Sequence, residues 1–452
     1  MSEKLSNDAA VDRALASIRG VRVDGGEVFL RDGQSTTVEV REGEIENAIT
    51  RGERGIGVRV LRGGRVGFAY SSDLSAAGIE DCVNASRDIA SVTEPDPDVS
   101  IATHKIEPPD LRLYEPGIDE RSVRERAEVA FAVERAARRV DARITGFRKT
   151  TYSDGSLTTI VATTADVRGT YRETYFSVGT SAVATAGEER QVGYHGEAKR
   201  QFAAIDPDAV GRRAAELAVG KLGARTFKTQ TLPIVLDPYM GISLLGALVP
   251  LFSADSVIKG KSLFAGRLGE AVASDRVTIV DDARTPGALR SAPFDGEGVA
   301  TSTRTLVDTG VLRGYLSSLK TAKKMDQPPT GNARRSSYAA PSRIGAANFH
   351  LAAGGTDPRV LVRRLDRSLR ITSLLNLHTV DPISGEFSLG ATGDYLEQGE
   401  RRYPVQGITI AGNLTTLLAS ITGVANDLTF GSSGLGSPTV VISQLSVGGV
   451  SA

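Results

Sequence analysis

The chain has 452 residues, 40% of them hydrophobic, with 54 Lys and Arg set against 54 Asp and Glu. It is therefore globular in composition and long enough for roughly two or three domains, and its balanced charge excludes a global attraction to nucleic acid or to an anionic membrane. Cys82 is the single cysteine, so no disulfide can close within the chain, and the first eight residues, Met1 to Asp8, lack the apolar core of a secretory signal. Together these features set the expectation of a cytoplasmic protein.

Asp8 to Ile18 has the pattern of a short amphipathic helix. Strand-like runs follow at Glu27–Leu30, Ser35–Arg41, Gly57–Leu61 and Arg65–Tyr70, with turn signals between them, which predicts a small antiparallel sheet. Leu74 to Val92 is a predicted helix carrying Ile79, Cys82, Val83 and Ile89 on overlapping apolar faces. Residues 93–118 are rich in Pro and Asp and read as a connector, and Asp119 to Val140 as a helix. Three strands are expected at Arg143–Ser153, Leu157–Thr164 and Arg168–Ala186, a fourth at Gln191–Ala198, then a helix at Asp206–Leu222.

A domain boundary falls near residues 223–231, dividing the chain into 1–226 and 227–452. The apolar run Leu232 to Phe252 is broken by Pro233, Asp237, Pro238 and Pro250, so a buried helix fits better than a membrane span of about 20 uninterrupted apolar residues. Asp237 can cap that helix and Pro238 suits its first turn, with Ile242, Leu244, Leu245, Leu248 and Val249 supplying apolar faces. Beyond it the chain is strand-rich, at Val277–Val280, Thr305–Val307, Val311–Leu316, Ile408–Ala411 and Pro438–Ile442. The predicted fold class is α+β, with a mixed first half and a mostly β second half. Glycines within apolar segments, as in Gly55–Val60 and Gly385–Gly390, suggest bulges and tight turns.

Few residues carry an obvious chemistry. His104, His195, His350 and His378 are far apart and none has helical metal-ligand spacing, so each reads as structural or surface rather than ligating. Cys82 reads as a buried, inert thiol. Asp281 and Asp282 end a strand before a Pro-Gly turn; adjacent carboxylates suit acid–base or metal chemistry, and turn initiation explains them equally. Thr330 to Tyr338 is polar and carries Arg334 and Arg335, whose guanidiniums suit a peptide carboxylate or acidic side chains; the alternative is a solvated loop. No phosphate loop, dinucleotide fingerprint or Gly-x-Ser-x-Gly elbow is present.

Several segments, in order and over nearly the whole chain, resemble the TldD/TldE (PmbA) family, described as modulators of DNA gyrase and as metallopeptidases. They include Gly55–Val60 with Gly67-Phe68-Ala69, Val280-Asp281-Asp282 with Pro286-Gly287, and Phe294-Asp295-Gly296-Glu297-Gly298-Val299. Thr330-Gly331-Asn332, Gly385–Gly390, Pro404–Leu414 and Gly423–Leu428 continue the match. The resemblance implies that the helix after Asp237 is the one which, in the TldD branch, carries His-Glu-x-x-x-His and binds zinc. The same positions here are Gly246, Ala247 and Leu251, and the C-terminal segment Phe430–Pro438 holds no cysteine. By this resemblance the chain is a TldE/PmbA-like subunit without metal or catalytic residues of its own, paired with a zinc-bearing TldD-like chain around a channel for unfolded or modified peptide. Asn332, Arg334, Arg335, Gly385 and Phe387 are then the candidate contacts to substrate or partner, although the Thr330–Tyr338 segment lies closer to the TldD branch. Neither nucleic acid nor membrane is expected as a partner. The alternatives are a stand-alone homo-oligomeric peptide-binding protein, or an enzyme with metal-independent chemistry at Asp281 or Glu297. A neighbouring gene for a chain containing His-Glu-x-x-x-His would separate the first reading from these.

Overall fold

The computed structural model describes residues 5–449; residues 1–4, part of the segment read for a signal, lie outside them. The first half is built on one antiparallel meander. After helix α1 (Asn7–Gly20) come β1 (Gly25–Arg41), β2 (Glu44–Arg62) and β3 (Arg65–Ser71), then α2 (Ala76–Val92) and α3 (Val123–Val140). β4 (Ile144–Thr163), β5 (Arg168–Ala186), β6 (Glu189–Lys199) and α4 (Pro207–Val219) complete it, with strand order β3-β2-β1-β4-β5-β6. Each helix starts on a side-chain cap: Ser6, Ser75, Asp206, and for α3 a capping box of Ser122 with Glu125.

The period-two alternation of β1 sorts its side chains onto two buried faces. Val28 and Leu30 join Val58, Val60 and Ile160 beneath α1 and α2, in one core with Val11, Ile18, Ile79 and Val83. Phe29 faces the other way, with Val161, against Phe294 of the second half. Helices therefore cover one face of the sheet and the second half of the chain covers part of the other. The runs at 143–153 and 157–164, expected as two strands, are the single strand β4. The intervening Asp154-Gly155 makes no turn. Asp154 is buried against Arg126 at 2.8 Å, and a side chain at Gly155 would meet the Gln34 carbonyl at 2.9 Å.

The second half begins with β7 (Gln230–Leu236) and α5 (Pro238–Leu248). The helix expected after Asp237 is α5, capped by the Asp237 carboxylate, which accepts from the Met240 N–H at 2.9 Å; the apolar residues before Asp237 belong to β7, and Val249–Phe252 after α5 form a 3₁₀ turn. Next come β8 (Ile279–Asp282), β9 (Thr303–Asp308), β10 (Val311–Leu312), β11 (Ala333–Arg334), β12 (Arg343–Ile344), β13 (Asn348–Leu351) and β14 (Arg367–Leu375). The chain ends with β15 (Glu386–Glu397), β16 (Glu400–Asn413), β17 (Ile421–Val424), β18 (Thr429–Phe430), β19 (Gly436–Ser437) and β20 (Val440–Gly448). One six-stranded sheet runs β10-β9-β8-β13-β19-β18; the other runs β16-β15-β14-β7-β20-β17, and an extra β16–β20 pairing closes it on itself. A single core of Leu, Ile, Val and Phe, including Leu248, Leu251 and Phe252, lies among these elements. The α+β class stands, and no helix among the described residues is long and apolar enough to cross a membrane.

Candidate functional site: the helix after Asp237 and a charged seam

Two regions carry the residues singled out by the sequence. The first is α5 and the turn after it. Gly246 and Ala247 sit on the last turns of the helix, and Leu251 falls in the one-turn 3₁₀ segment Val249–Phe252 that follows. Leu251 is 0% exposed and packs in the main core. A Cβ built at Gly246 would meet only a Leu435 methyl, at 3.6 Å. These side chains offer neither a lone pair for a metal nor a transferable proton. Among the described residues, no three His, Cys, Asp or Glu side chains are grouped so as to hold a metal ion. His350 turns Nδ1 to the Asn348 carbonyl at 2.8 Å and packs edge-on against Phe430, while His195 packs on Tyr239, and His104 and His378 are exposed.

The second region is the seam where the inward face of β1 and β2 meets the segments around residues 281, 295 and 332–345. Glu27 of β1 is fully buried and bound by Arg59 at 2.6 Å and by Arg335. Burial opposes its charge, but the two guanidiniums outweigh burial and hold the carboxyl below its ordinary range. Arg335 also donates to the Gly296 carbonyl at 2.9 Å and lies over the Phe29 ring, 5.0 Å from its centroid. The solvated-loop alternative thus fails for Arg335, whose side chain is 1% exposed and ties the two halves together. Arg334, one residue earlier on β11, points the other way and has no carboxylate partner among the described residues. It donates from Nη2 to the Arg290 carbonyl at 3.2 Å, while its buried Nε has no acceptor.

Asn332 is 2% exposed and donates to Asp281 at 2.8 Å and to the Gly345 carbonyl at 3.1 Å. Asp281 accepts in addition from the Ala347 N–H at 2.6 Å, and burial pushes its carboxyl above the ordinary range. Asp282, on the opposite face of β8, caps the turn through the Arg284 N–H at 2.8 Å, so the adjacent carboxylates do not act as a pair. Glu297 accepts from the Leu319 N–H at 2.9 Å and the Ser342 hydroxyl at 2.7 Å. Asp295 takes three backbone N–H groups, from Glu297, Val299 and Ala333, at 2.9–3.0 Å; burial and the neighbouring Glu297 nevertheless push its carboxyl up to about 7.

The other two candidates lie away from the seam. Phe387 is a 5%-exposed core residue of β15, and Gly385 makes the tight turn before that strand, at φ +79°. Cys82 is buried within the core under α2, where loss of solvent raises its thiol to about 11. Sequence reasoning missed Glu27, Arg59 and Asp295. The signal for Glu27 was an ionisable residue on the strand Glu27-Val-Phe-Leu, whose other positions are all apolar.

A strap crosses the seam. Residues 335–342 join β11 to β12 and lay Tyr338 on β2. A Cβ on Gly55 would lie 2.4 Å from the Tyr338 ring, and one on Gly57 would lie 2.3 Å from its carbonyl oxygen. These glycines therefore serve close approach, not the bulges expected for them. The β1–β2 register runs unbroken past both.

Three family descriptions match in chain order: PmbA/TldA metallopeptidase domain 1 over residues 26–90, central domain over 116–222 and C-terminal domain over 229–449. Metalloprotease PmbA of Escherichia coli O157:H7 is 30% identical over 93% of this chain and 91% of its own length. A Thermotoga maritima structure titled as a DNA gyrase modulator superposes with a TM-score of 0.90 at 26% identity, over 98% of this chain and 100% of that one. TldE from Thermococcus kodakarensis shares the fold, with a TM-score of 0.89 at 21% identity over 97% and 100% of the two chains. The chain belongs to the PmbA/TldD metallopeptidase family.

Proposed function

We propose that this chain is the metal-free, non-catalytic subunit of a heterodimeric peptidase. Its partner is a TldD-like chain that carries the zinc, and together they enclose a cytoplasmic channel for unfolded or modified peptide. The observation that carries the reading is α5, where the positions of the family's metal helix are Gly246, Ala247 and Leu251, with Leu251 sealed in apolar core. Asp281 and Glu297, the carboxylates that a metal-independent enzyme would use, each spend both oxygens on fixed donors, which favours a structural role for them. Residues 1–226 and 227–452 act in this reading as two structural units locked by the Glu27–Arg335 seam, and the faces left free take the partner. An obligate interface of this kind buries about 2,000 Å² or more.

The test is co-expression with a TldD-like chain. The pair is expected to co-purify and to hydrolyse unfolded peptide, to lose that activity to a chelator, and to show no activity from this chain alone. Chelator-insensitive hydrolysis by the isolated chain would overturn the reading, as would about one tightly held zinc per isolated chain. A stable homo-oligomer that ignores the TldD-like chain would favour the stand-alone binding protein.

A further inference from the structure

Beside the seam lies a cavity of about 650 Å³ that no part of the proposed metallopeptidase chemistry uses. Its floor is apolar, formed by Phe29 and by Tyr171 packed edge-on against Phe294 at 5.1 Å. Its rim is cationic. Five arginines line it against two carboxylates, Glu173 and Asp295. Both carboxylates are already committed: Glu173 pairs with Arg200 at 2.7 Å, and Asp295 is filled by three backbone N–H groups. Of the arginines, Arg335 pairs with Glu27, which it shares with Arg59, and Arg31 faces Glu53 at 3.8 Å. Arg290, Arg334 and Arg343 have no carboxylate in ion-pair reach among the described residues.

The unmatched charge is concentrated. Arg334 leaves its buried Nε without an acceptor and donates to the carbonyl of Arg290, which brings two like-charged residues side by side. Burial and the nearby Arg334 guanidinium both work against the charge on Arg290. Arg290 itself donates Nε to the Ser433 carbonyl at 2.7 Å, so among the described residues both side chains have carbonyl partners but no anion, and a carboxylate at this wall would meet two uncompensated positive charges. Guanidinium forks match carboxylates in two parallel hydrogen bonds. The cavity is also within the size range of small-ligand sites, with Arg290, Ser336 and Arg343 exposed at its mouth.

We propose that this cavity binds a carboxylate carried on an apolar body, and that its occupant is the C-terminal residue of a peptide. Arg290 and Arg334 hold the carboxylate, Arg343 adds charge at the mouth, and the last side chain rests on Phe29, Tyr171 and Phe294. The apolar floor next to the cationic rim favours this occupant over a free inorganic anion, which would leave the aromatic surface unused. The choice of a peptide rests on the proposed function; the anion site itself does not.

The test uses the isolated full-length chain, so its outcome is separate from whether a partnered complex hydrolyses peptide. Binding of a fluorescently labelled hexapeptide ending in Phe is measured by anisotropy, as the free acid and as the C-terminal amide, with inorganic phosphate as competitor. The free acid is expected to bind at least about tenfold more tightly than the amide. That gap should collapse in Arg290→Gln and Arg334→Gln proteins whose melting temperatures match the parent. Equal binding of acid and amide, or no binding at millimolar peptide, would overturn the proposal. So would a gap that survives both substitutions, or phosphate binding more tightly than the free-acid peptide. The acid–amide comparison on the unaltered chain stands even if a variant fails to fold.

Discussion

Replacing Arg335 by Ala should destabilise the fold far more than the same change one residue earlier. In the folded chain Arg335 is one of two cations on a fully buried Glu27, and it also donates to the Gly296 carbonyl at 2.9 Å. Removing one partner of a buried ion pair costs about 3–5 kcal/mol, because the remaining charge stays desolvated. Arg59 remains on Glu27 at 2.6 Å, so the lower end, about 3 kcal/mol, is expected. Arg334 has no carboxylate to abandon and leaves a crowded cationic wall, so Arg334→Ala should cost under about 1 kcal/mol. The assay is urea unfolding at neutral pH, read at the first transition, where opening of the seam would appear. If Arg335→Ala falls within about 1 kcal/mol of the parent, or the two substitutions cost the same, the seam is not the lock described above.

Further outcomes can be checked in the same preparations. Gly55→Ala and Gly57→Ala should each cost about 2 kcal/mol or more by overpacking the strap. Tyr338→Ala should rescue the Gly55 variant, whose clash is with the ring, but not the Gly57 variant, whose clash is with the Tyr338 backbone; rescue of both would contradict that geometry. Cys82 should react with thiol reagents only on unfolding, since burial raises its thiol to about 11, and Cys82→Ala should leave the assembled complex active. Fast labelling of the native chain would count against the burial. For His195, burial and then Arg213 lower the folded-state value to about 4 from an ordinary 6.5, so the unfolded chain binds the extra proton first. Its contribution is complete above about pH 6.5 and drains away as pH falls toward 4; allowing for partial exposure, this is about 1–2 kcal/mol. His195→Gln should flatten that part of the stability–pH curve, and an unchanged slope would remove His195 as its source.

Local signals in the chain determined much of this protein by themselves. Caps at Ser122, Asp206 and Asp237, the 3.6-residue periodicity of α2 to α4 and the alternation in β1 and β3 depend on neighbours a few residues away, so they are legible in one dimension. So was the absence of ligating side chains at Gly246, Ala247 and Leu251, because side-chain chemistry does not wait for folding. What only the tertiary structure decided was the meaning of residues whose partners are distant. Arg335 and Glu27 are 308 positions apart, and nothing near Arg335 in the chain distinguishes it from the unpaired Arg334. Gly55 and Gly57 have the local pattern of a bulged strand, yet the reason for them is a tyrosine more than 280 residues later. Asp154-Gly155 has the composition of a turn and runs straight through β4, because Arg126 and the neighbouring strand β1 occupy the space around it. In each case burial changes the energy of a group by several kcal/mol, more than local propensity supplies, and which group is buried is settled only when the two halves of the chain close on each other.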